Sequence, residues 1–381
     1  MSGHQTTGKK KKERHNFDYV LLTVVLFLVG FGLLMIYSTS SYEAGIDYGD
    51  SAYFLKKQMT STLLGFVAMF FVSRVPYQFW KKFDAVAFIG SALLILLVLS
   101  PLGITRNGAT RWIDLKVITM QPAEVAKIGV IIYEASIITK LGRSIRTPKG
   151  LAVVLVPPAI LALMLWQITN NMSSAIIVMG IAVAMLFVAL PDYKQFVALG
   201  AAAVAAVIGI VVYATSGDTS GEFRMQRIRA WLKPEEYSTD TAFQTLQALY
   251  AIGSGGIWGK GLGQSMQKRG FLPESQNDMI FSIICEELGL FGAIAVIFLF
   301  IVLIWCCMVI ANNTVDLFGA LLVVGVMAHY AIQVILNIAV VTNTIPNTGI
   351  SLPFISYGGT SVLFLLSEIG IVLNVSKSVR E

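Results

Sequence analysis

Hydrophobic residues fall in long blocks parted by short polar breaks. Ten blocks are long enough to be membrane spans: 17–37, 58–74, 84–103, 121–141, 150–168, 172–191, 195–215, 279–310, 316–340 and 353–375. A hydrocarbon core about 30 Å thick takes about 20 helical residues to cross. The stretches from Tyr19 to Tyr37 and from Gly292 to Ile310 carry no charge at all. Residues 150–191 hold two spans parted only by Ile168-Thr169-Asn170-Asn171. One block differs in character: residues 216–278 are polar, and an insertion of that length between spans is often functional. The pattern predicts an all-α fold, a polytopic membrane bundle of about ten transmembrane helices with a large extracytoplasmic loop between helices 7 and 8. It divides the chain into a basic tail (1–16), a transmembrane domain (17–375) and a short tail (376–381).

Composition sharpens this. Of 381 residues 56% are hydrophobic and 13% charged, against about 25% charged in soluble domains. A single soluble globule, a disordered chain and a disulfide framework are excluded. Cys285, Cys306 and Cys307 share one hydrophobic stretch and read as packing thiols. No small-residue cleavage site follows the first hydrophobic block, so it is expected to remain as a span.

Charge sets the orientation. Lys9 to Lys12, Arg14, Arg74, Lys81, Lys82, Lys140, Arg143, Arg146, Lys149, Lys194, Lys377 and Arg380 fall on the side of the N-terminus. The short loops opposite hold only Lys56, Lys57, Arg106, Arg111 and Lys116. The positive-inside rule predicts both termini in the cytoplasm and 216–278 outside, a loop too long for its own basic residues to count.

Several polar residues fall inside spans, where a charge costs at least about 2.5 kcal/mol and tends to face a cavity. Glu124 and Lys127 share a helical face, and His329, Gln333 and Asn337 form a stripe. Glu286 and Glu287 lie in the eighth span and Glu368 in the tenth. Two readings stay open: hydrogen bonds and ion pairs that hold the bundle together, or a cavity for an anionic or sugar-bearing ligand. The run Gly253-Ser254-Gly255-Gly256-Ile257-Trp258-Gly259-Lys260-Gly261 fails as a P-loop. Its first required Gly falls on Ser254, and Gly261 stands where Ser or Thr should hold magnesium. ATP chemistry is rejected, and the glycines are expected to allow tight turns and close backbone approach.

No Ser-His-Asp set or metal-ligand spacing is present, since His4 and His15 lie in the tail and His329 in a span. An outward acid or base must then be a carboxylate. Asp278 closes the long loop after Pro273-Glu274-Ser275-Gln276-Asn277. The alternative role is a helix N-cap. Within the loop, Arg224, Arg227 and Arg229 interleave with Met225, Ile228 and Trp231, which suits an amphipathic helix on anionic lipid.

Longer motifs carry a resemblance. They are Asn107-Gly108-Ala109-Thr110-Arg111-Trp112-Ile113, Gln121-Pro122-Ala123-Glu124 with Lys127, and Ala251 through Gly263. Then come Leu272-Pro273-Glu274 with Asn277-Asp278 and Phe281, Glu286-Glu287-Leu288-Gly289, and Pro346-Asn347-Thr348-Gly349 running into Leu352 through Ser361. In this order, over nearly the whole chain, the sequence resembles the SEDS family (shape, elongation, division and sporulation). The form Phe354-Ile355-Ser356-Tyr357 is more similar to its FtsW and SpoVE branches than to RodA.

The resemblance implies a peptidoglycan glycosyltransferase polymerising lipid II on the outer membrane face, beside a class B penicillin-binding protein and other division or elongation membrane proteins, with no nucleic acid. The family's proposed catalytic carboxylate maps onto Asp278, expected as general base, with a pKa lowered by a helix N-terminus. Lys127 and Arg111 are the candidates for pyrophosphate contact, with a lipid-headgroup contact an equal alternative for Arg111. Trp112 is a candidate for sugar stacking or an interfacial belt, and Gln121, Glu124, Glu274, Gln333, Asn337 and Ser356 complete the expected substrate site. A divalent cation, magnesium or manganese, is left open, because no ligand set proves one. Asn170-Asn171-Met172-Ser173-Ser174 departs from the family's Pro-Asp-x-Gly-Thr, and Glu368 stands where a neutral residue is expected. Two rivals remain, a lipid II flippase built on the Glu124–Lys127 cavity and a non-catalytic scaffold.

Overall fold

The computed structural model describes residues 17–106, 108–114, 116, 119–190, 196–197, 200–201, 205, 223–237 and 242–379, with backbone alone for Arg106 and 223–227. Its helices are α1 (Tyr19–Tyr48), α2 (Tyr53–Val72), α3 (Asp84–Leu97), α4 (Pro122–Leu141), α5 (Pro148–Ile168), α6 (Met172–Ala189), α7 (Phe223–Leu232), α8 (Phe243–Gly255), α9 (Ile280–Asn313), α10 (Leu317–Val341) and α11 (Thr360–Ser376). Local chemistry sets their ends. Asp18 caps α1 by accepting from the Leu21 amide at 2.9 Å. Thr147 caps α5 ahead of Pro148, and Asp316 caps α10.

By length and composition, α1, α5, α6, α9 and α10 can cross a membrane, and α11 is a shorter apolar helix. The expected seventh span, 195–215, lies outside the described residues except for isolated positions. Three local expectations are corrected. α1 runs on to Tyr48, because the first strong breaker is left-handed Gly49 (φ 68°). α11 starts at Thr360, because residues 353–359 make turns. Between α3 and α4 the chain forms a small antiparallel sheet of β1 (Gly103–Arg106), β2 (Ala109–Asp114) and β3 (Thr119–Met120) in that order, so the all-α bundle carries one minor β element.

α10 is the axis of the bundle, packing on α4, α6, α9 and α11. α9 is broken at Gly289 (φ 66°, ψ −162°). The glycine-rich segment after α8 fills the break. The Lys260 and Gly261 amides donate to the Glu286 and Glu287 carbonyls at 2.9 Å, and the Leu290 amide donates to Gly256 O at 3.0 Å. A Cβ on Gly259 would stand 2.2 Å from the Glu287 carbonyl oxygen, and one on Gly289 2.4 Å from the Gly259 nitrogen. Only glycine lets two backbones approach so closely. The motif that fails as a P-loop is thus a backbone patch on a helix break.

Candidate active site

Asp278 lies just before α9 and is 9% exposed. It is not the helix cap: that position is Met279, and no side chain caps α9. Oδ1 is buried without a hydrogen-bond partner among the described residues. Burial, with the nearby Glu274 charge as a second cause, pushes the carboxyl up from 3.8 to about 7 against the opposing pull of the Asp278 and Met279 amides. The expectation of a lowered pKa is therefore overturned, because desolvation outweighs the helix N-terminus.

The backbone of Asp278 is fixed by Asn337. Its Nδ2 donates to the Asp278 carbonyl at 2.8 Å and to the Ile350 carbonyl at 2.6 Å. The segment leaving α10 passes beside the carboxylate, and a Cβ on Gly349 (φ 67°) would come 3.8 Å from Oδ2. Three clamps hold that strap. Trp231 Nε1 donates to Asn343 O at 3.0 Å, Asn347 Nδ2 to Gln244 Oε1 at 2.8 Å, and Ser173 Oγ to Thr348 O at 2.6 Å. Trp231 of α7 is therefore fastened to the strap. Side-chain statements for Arg224, Met225 and Arg227 fall outside the described residues.

One turn along α10 from Asn337 lies a second network. Lys127 Nζ contacts Glu124 Oε1 at 2.9 Å and Gln333 Oε1 at 3.3 Å. His329 bridges Gln333 Oε1 and Glu368 Oε2, each at 2.8 Å. Gln333 Nε2 donates to Ser351 O at 3.0 Å. The intramembrane residues thus join α4, α10 and α11, and Glu368 gains a role as the acidic partner of His329. Because Gln333 spends its amide group on Ser351, its oxygen faces Lys127 and His329, which puts a proton on His329 Nε2.

The expected substrate set splits. Asp278 and Glu274 are charge-coupled, and Asn337 binds the Asp278 carbonyl. Glu124, Lys127 and Gln333 meet in the buried network. Lys127 is 2% exposed, and its ammonium is paired with Glu124 inside the bundle. Arg111 Nη2 donates to Asn170 O at 2.7 Å and its Nε to Thr169 O at 3.3 Å, bracing the α5–α6 turn. Trp112 lies on β2 opposite Ile104. Gln121 precedes α4 without capping it by its side chain. Ser356 is buried, and its Oγ accepts from the Leu352 amide at 2.7 Å, which holds a turn. Asn171, the departure from the family pattern, caps α6 by accepting from the Ser174 amide at 3.0 Å. The amide oxygen takes the capping role open to an aspartate.

Sequence reasoning missed the strap clamps, whose partners lie far apart in the chain. It also missed Lys260 on Glu286 (2.7 Å) and Lys268 on Glu287 (2.6 Å), which fasten the glycine-rich loop to α9. Its only signal was two buried glutamates with basic residues upstream.

The cell cycle protein family FTSW_RODA_SPOVE matches residues 19–381. The stage V sporulation protein E of Bacillus subtilis (strain 168) is 36% identical, with 95% of this chain and 98% of that protein covered. A probable peptidoglycan glycosyltransferase FtsW of Trichlorobacter lovleyi is 38% identical over 96% of this chain and 94% of its own. Among solved structures, one described as "Structural coordination of polymerization and crosslinking by a peptidoglycan synthase complex" aligns with a TM-score of 0.77 at 23% identity, covering 94% of this chain and 97% of that one. The Thermus thermophilus rod shape determining protein RodA gives 0.67 at 23%, covering 96% and 98%. With apolar helices long enough to span a bilayer and a match running nearly end to end, the chain belongs to the FtsW/RodA/SpoVE family and is a multi-pass membrane protein.

Proposed function

We propose that the protein is a peptidoglycan glycosyltransferase that polymerises lipid II at the outer face of the cytoplasmic membrane, with Asp278 as its general base. Relatives at this level of identity bear that enzyme name. The observation that carries the role of Asp278 is its enclosed carboxylate, with one oxygen unpartnered among the described residues and a pKa near 7. A base with a pKa near ambient pH is both ionised and strong enough to accept a proton. Asp278 takes the proton of the acceptor sugar hydroxyl as that oxygen attacks the anomeric carbon of the donor. The bond to the donor's pyrophosphate breaks, and the lipid pyrophosphate departs with the electron pair.

Lys127 acts through Gln333 and the Ile350–Ser351 backbone as a positioning residue rather than a phosphate ligand. Arg111 likewise braces the α5–α6 turn. The divalent cation has no ready-made cage: no group of three or more His, Cys, Asp or Glu gathers among the described residues. The residues alone do not fit a resident metal, and no step here uses one. Both termini face the cytoplasm on this reading, and a class B penicillin-binding protein works alongside, with other division or elongation proteins around the pair. Support for that partner comes from the fold-mate solved in a peptidoglycan synthase complex.

The test is reconstitution of the purified chain with lipid II, with and without a penicillin-binding partner, reading glycan chains on a gel. Polymer from the complex is expected. No polymer from any partner pairing, with lipid II instead moved across vesicles, would replace the reading with the flippase.

A further inference from the structure

The end of α1 away from the N-terminus borders a cavity of about 760 Å³ that the polymerase mechanism does not use. Its wall includes Leu34, Tyr37, Leu262, Ser51, Lys268 and Arg269. At 1.5 Å per residue, Leu34 stands about 22 Å along α1 from Tyr19 and Ser41, also in the wall, about 33 Å. The cavity therefore straddles the boundary of a hydrocarbon core about 30 Å thick. Its apolar members lie open to the surroundings: Leu34 is 45%, Tyr37 47% and Leu262 48% exposed.

Its basic members have unused donors. Lys268 is 6% exposed, and its ammonium contacts Ser38 Oγ at 3.0 Å and Glu287 Oε1 at 2.6 Å. An ammonium has three donors, so one remains. The Arg269 guanidinium is exposed and has no hydrogen bond or ion pair among the described residues. A fork of donors beside an anchored ammonium, above an apolar floor at membrane depth, matches an anionic headgroup whose tails stay in lipid.

We infer that this cavity binds the phosphate headgroup of a membrane lipid, with Arg269 as the main contact and Lys268 as the fixed second charge. The phosphate could belong to a glycerophospholipid or to a polyisoprenyl pyrophosphate. Asp278 is not part of the cavity wall, although the same end of α1 reaches its region through Glu43, which bonds Gln276. It does not rest on the polymerase reading.

The test uses the purified full chain in phosphatidylcholine nanodiscs, titrated with phosphatidylglycerol or a polyisoprenyl pyrophosphate and read by native mass spectrometry. Wild type is expected to retain one anionic lipid. Arg269→Glu should raise Kd at least tenfold, Ser51→Trp should do the same by filling the cavity without a charge change, and Arg269→Lys should recover part of the loss. Preference for the pyrophosphate names a carrier lipid as the occupant, and preference for phosphatidylglycerol names a structural lipid; both support the site. Asp278→Asn should bind like wild type, so a catalytic failure would not be mistaken for loss of this site. Retention no greater than for phosphatidylcholine, or binding by Arg269→Glu and Ser51→Trp as tight as by wild type, would overturn the inference.

Discussion

Asn337 and Asp278 are joined through the main chain. One amide nitrogen of Asn337 spans the Asp278 carbonyl at 2.8 Å and the Ile350 carbonyl at 2.6 Å. It sews the start of α9 to the segment that follows Gly349 without touching the carboxylate, whose Oδ1 has no partner among the described residues. Asn337→Ala should strand both carbonyls, at a cost of about 1–3 kcal/mol. We expect polymerisation to fall on the order of tenfold to a hundredfold with lipid II affinity nearly unchanged, measured as a kcat against KM split.

The raised pKa of Asp278 gives the reaction a pH signature. Activity should climb through a limb centred near pH 7, as the carboxyl loses its proton. Glu274→Gln removes the neighbouring negative charge and should move that limb to lower pH. Stability runs the other way. A carboxyl whose folded pKa lies above its unfolded value of 3.8 holds its proton more tightly when folded, so stability falls as pH rises from 3.8 to about 7. Asp278→Asn should therefore raise the melting temperature at pH 8 by more than at pH 5.

Lys127 and Glu124 form a buried pair in the bundle. Lys127→Met leaves a carboxylate without its cation and should cost about 3–5 kcal/mol, whereas Lys127→Met with Glu124→Gln should cost clearly less than the two single changes summed. Thermal unfolding in detergent across the four proteins of the cycle checks this.

The Trp231–Asn343 clamp gives the strap a handle. Trp231→Phe keeps an aromatic ring, though a smaller one, but removes the hydrogen bond to Asn343 O, and should loosen the strap without unfolding the bundle. Faster hydrogen exchange at residues 343–349, with the rest of the chain unchanged, is the expected outcome.

Much of this architecture was legible in the sequence, because hydrocarbon imposes a strong pattern. The spans 84–103, 121–141, 150–168 and 172–191 each correspond to a helix, and even the thin break at Asn170-Asn171 is a real turn, capped by Asn171 itself. The polar stripe of His329, Gln333 and Asn337 also faces inward together. What hydropathy cannot carry is pairing between distant segments. Nothing local tells Glu368 that His329 will meet it, or Trp231 that Asn343 will. The state of Asp278 was misread for the same reason. Its position before α9 suggested a stabilised anion, whereas its burial beside Glu274 is a long-range fact that favours the neutral acid. The sheet at 103–120 was hidden because its strands are short and sit where a loop was expected.

The most direct test compares wild type with Asp278→Asn in lipid II polymerisation alongside the same penicillin-binding partner. Asparagine matches the size of the side chain but cannot accept the proton. The account predicts a rate loss of at least about a hundredfold with complex formation intact. Glycan synthesis by Asp278→Asn at the wild-type rate would contradict it.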